Sequence, residues 1–249
     1  MAAAAPARTR LEWRVATVVE TLRESTTAVT LVFNIPNWPG HRPGQHVDLR
    51  LTAEDGYQTA RSYSIASPPQ EARVAITVEE LPDGEVSPYL VEDVRAGDQI
   101  ELRGPVGGYF VWEASMGGPL LLIAGGSGIV PLAAMLRHRQ LVGGTIPARL
   151  LYSVRATDDA LYTDELDALA IGGVEVVRTF TRSAPPGWTG HMRRVDAELL
   201  REIAFPASER PRIYICGPTA FVEGVAALLV ADGHDPERVR TERFGPTGT

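Results

Sequence analysis

A chain of 249 residues, 44% of them hydrophobic, is long enough for two modest domains or one large one, with a buried core. Its formal net charge of −7 excludes a global pull towards nucleic acid or an anionic membrane. Its single cysteine, Cys216, excludes an intrachain disulfide and a four-cysteine iron–sulfur cluster held by this chain alone.

Met1 to Arg10 are Ala-rich and basic, but no apolar core of a signal peptide follows them. No apolar run is long enough to span a bilayer. The expectation is a soluble cytoplasmic protein with a frayed N-terminus. Residues 12–113 then read as short strands separated by turn signals. Stretches 13–19 and 28–33 are rich in β-branched residues, and Asn37-Trp38-Pro39-Gly40 breaks the chain. Stretches 46–51 and 73–78 alternate cleanly, and 99–103 closes the set. Strands this frequent predict a small antiparallel β-barrel. Its one helix is expected over Pro88 to Val94, with Ser87 as N-cap and Pro88 at the first position.

The period changes after residue 113. Glu113 to Pro119, with Gly117-Gly118, reads as a linker. Residues 120–124 form a continuous apolar run, as in a strand buried on both faces. Leu132, Met135 and Leu136 mark a helix. Strands are expected at 148–153, 174–180 and 212–216. Helices are expected at 160–170, near Val195 and at 219–231. Alternating β and α over 114–249 predicts a parallel, doubly wound α/β sheet.

Within this frame several short stretches carry chemistry. Arg61-Ser62-Tyr63-Ser64 alternates polar and bulky residues, which puts Arg61 and Tyr63 on one strand face. An arginine fork beside an aromatic plane suits a ligand with phosphates and a flat ring. By itself, such a pair is usually surface packing. Gly84-Glu85-Val86-Ser87 opens the barrel's helix and is a candidate anion site or an ordinary turn with a cap. Gly125-Gly126-Ser127-Gly128-Ile129-Val130-Pro131 joins a buried strand to a helix, the context in which glycines admit a pyrophosphate. Pro131 replaces the third glycine of the usual dinucleotide fingerprint. The strand at 148–153 ends in Ser153-Val154-Arg155, without the acid that would hold a ribose 2′-hydroxyl. Thr181-Arg182-Ser183 ends the next strand. Cys216-Gly217-Pro218 ends a buried strand at the sheet's ligand edge, where a lone cysteine is otherwise a small apolar residue. The five histidines show no close spacing, so no metal site is expected.

The order RSYS, GEVS, GPVGG, GGSGIVP, CGP and a terminal ERF resembles the ferredoxin–NADP reductase family of flavoproteins, from about residue 12 to 245. The resemblance implies an FAD-binding barrel over 10–113 and an NAD(P)-binding α/β domain over 114–249. It implies that Arg61 holds the FAD pyrophosphate, Tyr63 stacks on the isoalloxazine, and Ser64 lies near flavin N5, with Ser62 beside them. Gly84, Glu85 and Val86, by their backbone, and Ser87, by its hydroxyl, would hold FAD phosphates. Gly125, Gly126, Gly128 and Pro131 would shape the nicotinamide cofactor's pyrophosphate loop. Cys216, with Gly217 and Pro218, would sit beside the nicotinamide. Glu242 and Phe244 match a terminal acid-x-aromatic pattern that covers the flavin's other face, although here the chain runs five residues further. Ser64, Cys216 and Glu242 are the expected catalytic residues. Thr181-Arg182, with Ser153 and Arg155 nearby, resembles the grip on a 2′-phosphate, so NADP is the expected nucleotide and NAD the alternative. The implied activity passes hydride from NAD(P)H to the flavin and single electrons to a separate ferredoxin-like protein. The rivals are a reductase of free flavin and an electron-transfer subunit of a larger oxygenase complex.

Overall fold

The computed structural model describes residues 11–81 and 83–245. The frayed start expected over 1–10 and the chain after 245 lie outside the described residues. Six strands form the first sheet: β1 (Trp13–Arg23), β2 (Ala28–Asn34), β3 (His46–Thr52), β4 (Gln58–Ser64), β5 (Val74–Glu79) and β6 (Gln99–Val106). They run antiparallel in the order β4-β3-β6-β1-β2-β5. A bridge from Ile65, just past β4, to Ile76 of β5 joins the two edges and closes the barrel. The inward residues, among them Leu31, Leu49, Ile76 and Leu102, form one core.

The barrel's helix α1 (Ser87–Glu92) differs from expectation. Val86 is its N-cap, with no side-chain cap bond, and Ser87 is its first residue. The Ser87 hydroxyl is turned inward instead and accepts the Leu81 amide at 2.9 Å. Tying down the turn at 81–87 outcompetes the capping role.

The second sheet is parallel, in the order β11-β10-β7-β8-β9. Its strands are β7 (Leu120–Gly125), β8 (Ala148–Val154), β9 (Val174–Phe180), β10 (Arg212–Pro218) and β11 (Val239–Phe244). Helices α2 (Ile129–Leu141), α3 (Thr163–Ile171), α4 (Ala197–Ile203) and α5 (Thr219–Ala231) cover its faces. Every residue of β7 is buried. Leu120, Leu122 and Ala124 face the α2 side, and Leu121 and Ile123 face α4 and α5, as the strand period requires. Helix α3 starts three residues later than its apolar pattern suggests, because Tyr162 takes a left-handed backbone at φ 58. The terminal ERF lies in β11, an edge strand whose polar sequence carries little strand signal. Among the described residues, no helix is long and apolar enough to cross a membrane.

The core on the α2 side is continuous with the barrel. Ala28 and Ala75 of the first sheet, and Ala66 just past β4, pack into the same cluster as Leu122, Met135 and Tyr152. Arg137 of α2 donates to the Ala66 carbonyl at 2.6 Å and lies over the Tyr162 ring at 4.6 Å. The Tyr162 hydroxyl joins Thr77 of β5, which bonds Thr30 of β2 at 2.7 Å.

Candidate active site

The carboxyl ends of β10 and β11 meet the end of β4, and the polar groups there converge on Glu242. Parallel pairing sets Glu242 beside Cys216. The Ser64 hydroxyl donates to Glu242 Oε2 at 3.4 Å, and the Cys216 thiol approaches the same oxygen at 3.9 Å. His46 Nδ1 lies 3.8 Å from Oε1. Burial drives the Glu242 pKa up to about 7, against the hydrogen bonds from Ser64 and Cys216 that favour its charge. Burial also raises the Cys216 thiol well above its ordinary value, and Glu242 adds to that. The thiol is therefore protonated at neutral pH and acts as a packed donor. The structure thus brings Ser64, Cys216 and Glu242 together. His46 was missed: a lone histidine on an alternating strand gives no signal of a partner on a distant strand.

The glycine loop lies beside this cluster. It runs through a 3₁₀ turn, Gly126–Gly128, into α2. A methyl group on Gly128 would overlap the Cys216 carbonyl and sit 2.8 Å from the Gly217 nitrogen. Gly128 is therefore what lets α2 reach β10. Gly125 and Gly217 both lie under the Phe221 ring, which a methyl at Gly125 would meet at 2.9 Å. Gly126 differs: its φ is +56 and nothing lies within 4 Å of where a side chain would start. Open space before a left-handed glycine at a helix N-terminus accommodates a pyrophosphate. Pro131 is buried in the first turn of α2, where no intrahelical amide is needed. Phe221 carries no motif, and only its place over the two glycines marks it.

At the same sheet edge Ser153 is nearly buried and Arg155 is exposed. The Arg182 amide donates to the Arg155 carbonyl at 2.8 Å, and the Thr181 amide to that of Val154 at 2.9 Å. These bonds hold two exposed arginines side by side. On the barrel, RSYS and GEVS are brought together as well. Arg61 donates to Thr59 and Ala60 and pairs with Glu85 at 3.4 Å. Gly84 packs tightly, with the Ser87 hydroxyl 2.9 Å from where its side chain would start. Ser62 donates to Asp48 at 2.7 Å. Tyr63 packs against the barrel core, and burial pushes its phenol up to about 12. Phe244 pairs with Pro218 across β10 and β11 and is 37% exposed.

Residues 16–111 match the family model of the oxidoreductase FAD-binding domain, and residues 122–227 that of the oxidoreductase NAD-binding domain. Each model falls on one of the two sheets, and together they take in most of the chain. The chain belongs to the ferredoxin–NADP reductase family. Similar members include the toluate 1,2-dioxygenase electron transfer component of Pseudomonas putida, 32% identical over 91% of this chain and 65% of that protein. The ferredoxin–NAD(P)+ reductase component of a naphthalene 1,2-dioxygenase system, also from Pseudomonas putida, is 29% identical over 83% of this chain and 61% of its own length. The chain spans 55 to 65% of the length of the curated relatives it matches. Among solved family structures, the FAD/NAD-binding domain of a nitric oxide dioxygenase from Vibrio cholerae superposes with a TM-score of 0.81 at 26% identity, covering 94% of this chain and 99% of that one. A ferredoxin NADP+ reductase from Neisseria gonorrhoeae, solved with FAD and NADP, shares the fold at a TM-score of 0.79 and 21% identity, over 93% and 98% of the two chains.

Proposed function

We infer that this chain is an FAD-dependent NAD(P)H reductase that passes electrons singly to a separate ferredoxin-like protein. The observation that carries the reading is the convergence of Ser64 from the barrel with Cys216 and Glu242 from the parallel sheet on one carboxyl oxygen. Each domain supplies part of one small polar site, as hydride passage between two cofactors held on different domains requires. We set the domain boundary between residues 113 and 114. FAD, when bound, supplies an acceptor for hydride and a donor of single electrons.

The chain's own residues supply the rest. Arg61 and the backbone of Gly84, Glu85 and Val86 hold the FAD phosphates. For this, a phosphate takes the place of Glu85 at the Arg61 fork, a bidentate exchange that suits guanidinium. Ser62 and Ser87 support that site through Asp48 and Leu81. Tyr63 offers the flat surface for the flavin, and Phe244 covers the other side. Gly125, Gly126, Gly128 and Pro131 shape the nucleotide loop, with Gly217 and Pro218 opposite. Thr181, Arg182, Ser153 and Arg155 grip a 2′-phosphate, which makes NADPH the preferred donor over NADH. Cys216 sets the nicotinamide's depth by shape, while Glu242 and Ser64 hold or move a proton beside it. A cytoplasmic location goes with this reading, because the reductant it needs is kept inside the cell.

The test is the absorbance spectrum of the purified protein before and after adding NADPH or NADH without oxygen. The expected protein is yellow, with about one FAD per chain, and bleaches on adding nucleotide. A colourless protein that gains no flavin on reconstitution would overturn the reading. A second reading, an electron-transfer component of a larger oxygenase system, draws support from relatives that bear such names and are longer than this chain. Co-purification with an oxygenase, and reduction of no acceptor without it, would favour that reading.

A further inference from the structure

Arg139 lies near the far end of α2, about 15 Å along the helix from the glycine loop. It is 5% exposed, and burial alone moves its pKa, downward, with no acid pulling the other way. Its Nε donates to the Ile146 carbonyl at 2.6 Å, and its Nη1 lies 3.7 Å from where a Gly144 side chain would start. The guanidinium therefore sits against the turn at 142–146 that joins α2 to β8. Trp112, from the end of the barrel fold, is 0% exposed, and its indole Nε1–H finds no acceptor among the described residues. Trp112, Ala114, Arg139 and that turn enclose a cavity of about 20 Å³.

The neighbouring ionisable groups do not balance this charge. Glu113 is paired with Arg42 at 3.6 Å. His138 packs edge-on against the Trp112 ring at 5.8 Å and bonds Gln70, and burial lowers its imidazole, which keeps it neutral near pH 7. The C-terminal end of α2 supplies about half a unit of negative charge, which offsets the guanidinium only in part. Indole and guanidinium are both donors without acceptor capacity. A buried donor left unpaired, and a buried charge left unpaired, are each costly. A water would accept from both but would bring two hydrogens and no charge. A monatomic anion accepts from every side and cancels the charge. The cavity has room for about one such atom, which excludes phosphate, sulfate and carboxylates.

We propose that Trp112 and Arg139 bind a single halide ion in this cavity, chloride being the halide ordinarily available. The inference stands apart from the reductase reading, since it uses none of the residues placed in the active site. Trp112 precedes the boundary between the two folds, and Arg139 belongs to the second of them. The ion accepts from one side chain of each and so braces that boundary.

Two measurements on the full-length protein test this. The chain has 4 tryptophans, so nitrogen-15 labelling gives as many indole N–H signals, and the one missing from Trp112→Phe belongs to Trp112. Sodium chloride is titrated against sodium gluconate at constant ionic strength. The Trp112 signal should move with chloride and saturate while the others stay in place. In Arg139→Gln the half-saturating concentration should rise by roughly ten- to a hundred-fold, the scale of one charge-assisted hydrogen bond. A Trp112 signal that stays still, or drifts without saturating, would overturn the proposal and leave a water in the cavity. The second measurement is the melting temperature. Chloride at about ten times its half-saturating concentration should raise that of the wild type by about 3–6 °C over gluconate. Trp112→Phe keeps the ring's bulk and loses the donor, so its rise should be no more than about a third as large. An equal rise in both proteins, or no difference between the two salts, would sink the site. If Arg139→Gln does not fold, the wild-type titration and the Trp112→Phe melting comparison decide the matter.

Discussion

An acid whose folded pKa is raised binds its proton more tightly folded than unfolded. Its favourable contribution is therefore present at low pH and is lost as pH rises. For Glu242 that loss runs from its ordinary value of 4.5 to about 7. At 1.36 kcal/mol per pH unit, the burial accounts for about 3 kcal/mol at most over that window. Urea unfolding at pH about 5 and about 8 should show the wild type losing more stability between the two than Glu242→Gln does. Parallel losses would mean that the carboxyl is not buried as described. Arg182→Ala should raise the Michaelis constant for NADPH by roughly ten- to a hundred-fold, the scale of one charge-assisted contact, and leave that for NADH nearly unchanged. Steady-state rates with both nucleotides check it. At this scale Ser64, Cys216 and Glu242 were legible as members of motifs. The pairing of Arg61 with Glu85 and the place of His46 were not, because each depends on which distant strand lies opposite.

The glycine loop between β7 and α2 was legible as an element, but the division of labour among its glycines was not. Spacing cannot tell a glycine that admits a ligand from one that admits another strand. Gly128 has an ordinary helical backbone, φ −61, so only the Cys216 carbonyl forbids a side chain there. Gly128→Ala should cost about 1–3 kcal/mol by overpacking, since α2 must move off β10. Gly126→Ala meets no neighbour and should cost about 1–2 kcal/mol, the strain of a left-handed residue. Thermal unfolding without ligand ranks the two. Nucleotide titration should then reverse the ranking of interest, because the Gly126→Ala methyl points into the open space. Strand β11 was the one element of the second sheet that the sequence did not reveal. Its alternation carries arginines and a glutamate rather than apolar residues, and it is held by pairing with β10.

The order of the two folds along the chain was legible because the hydrophobic period changes after residue 113. Their contact was not, since it is made by scattered residues: Ala66, Thr77, Arg137 and Tyr162. Tyr162→Phe removes the hydroxyl that reaches Thr77, leaving Thr77 bonded to Thr30. The cost should be about 1 kcal/mol, a melting shift of roughly 2–4 °C by calorimetry. A larger fall in the rate of reduction by NADPH should accompany it, because the contact joins β5 of one sheet to the start of α3 on the other. Ser64 belongs to one sheet and Cys216 to the other, and they share a single oxygen atom on Glu242. Contacts at a domain seam open at lower free energy than the strands they join. The catalyst therefore has a failure temperature of its own. On slow warming, turnover fades while the yellow colour and the circular dichroism of both sheets persist, and on cooling it returns.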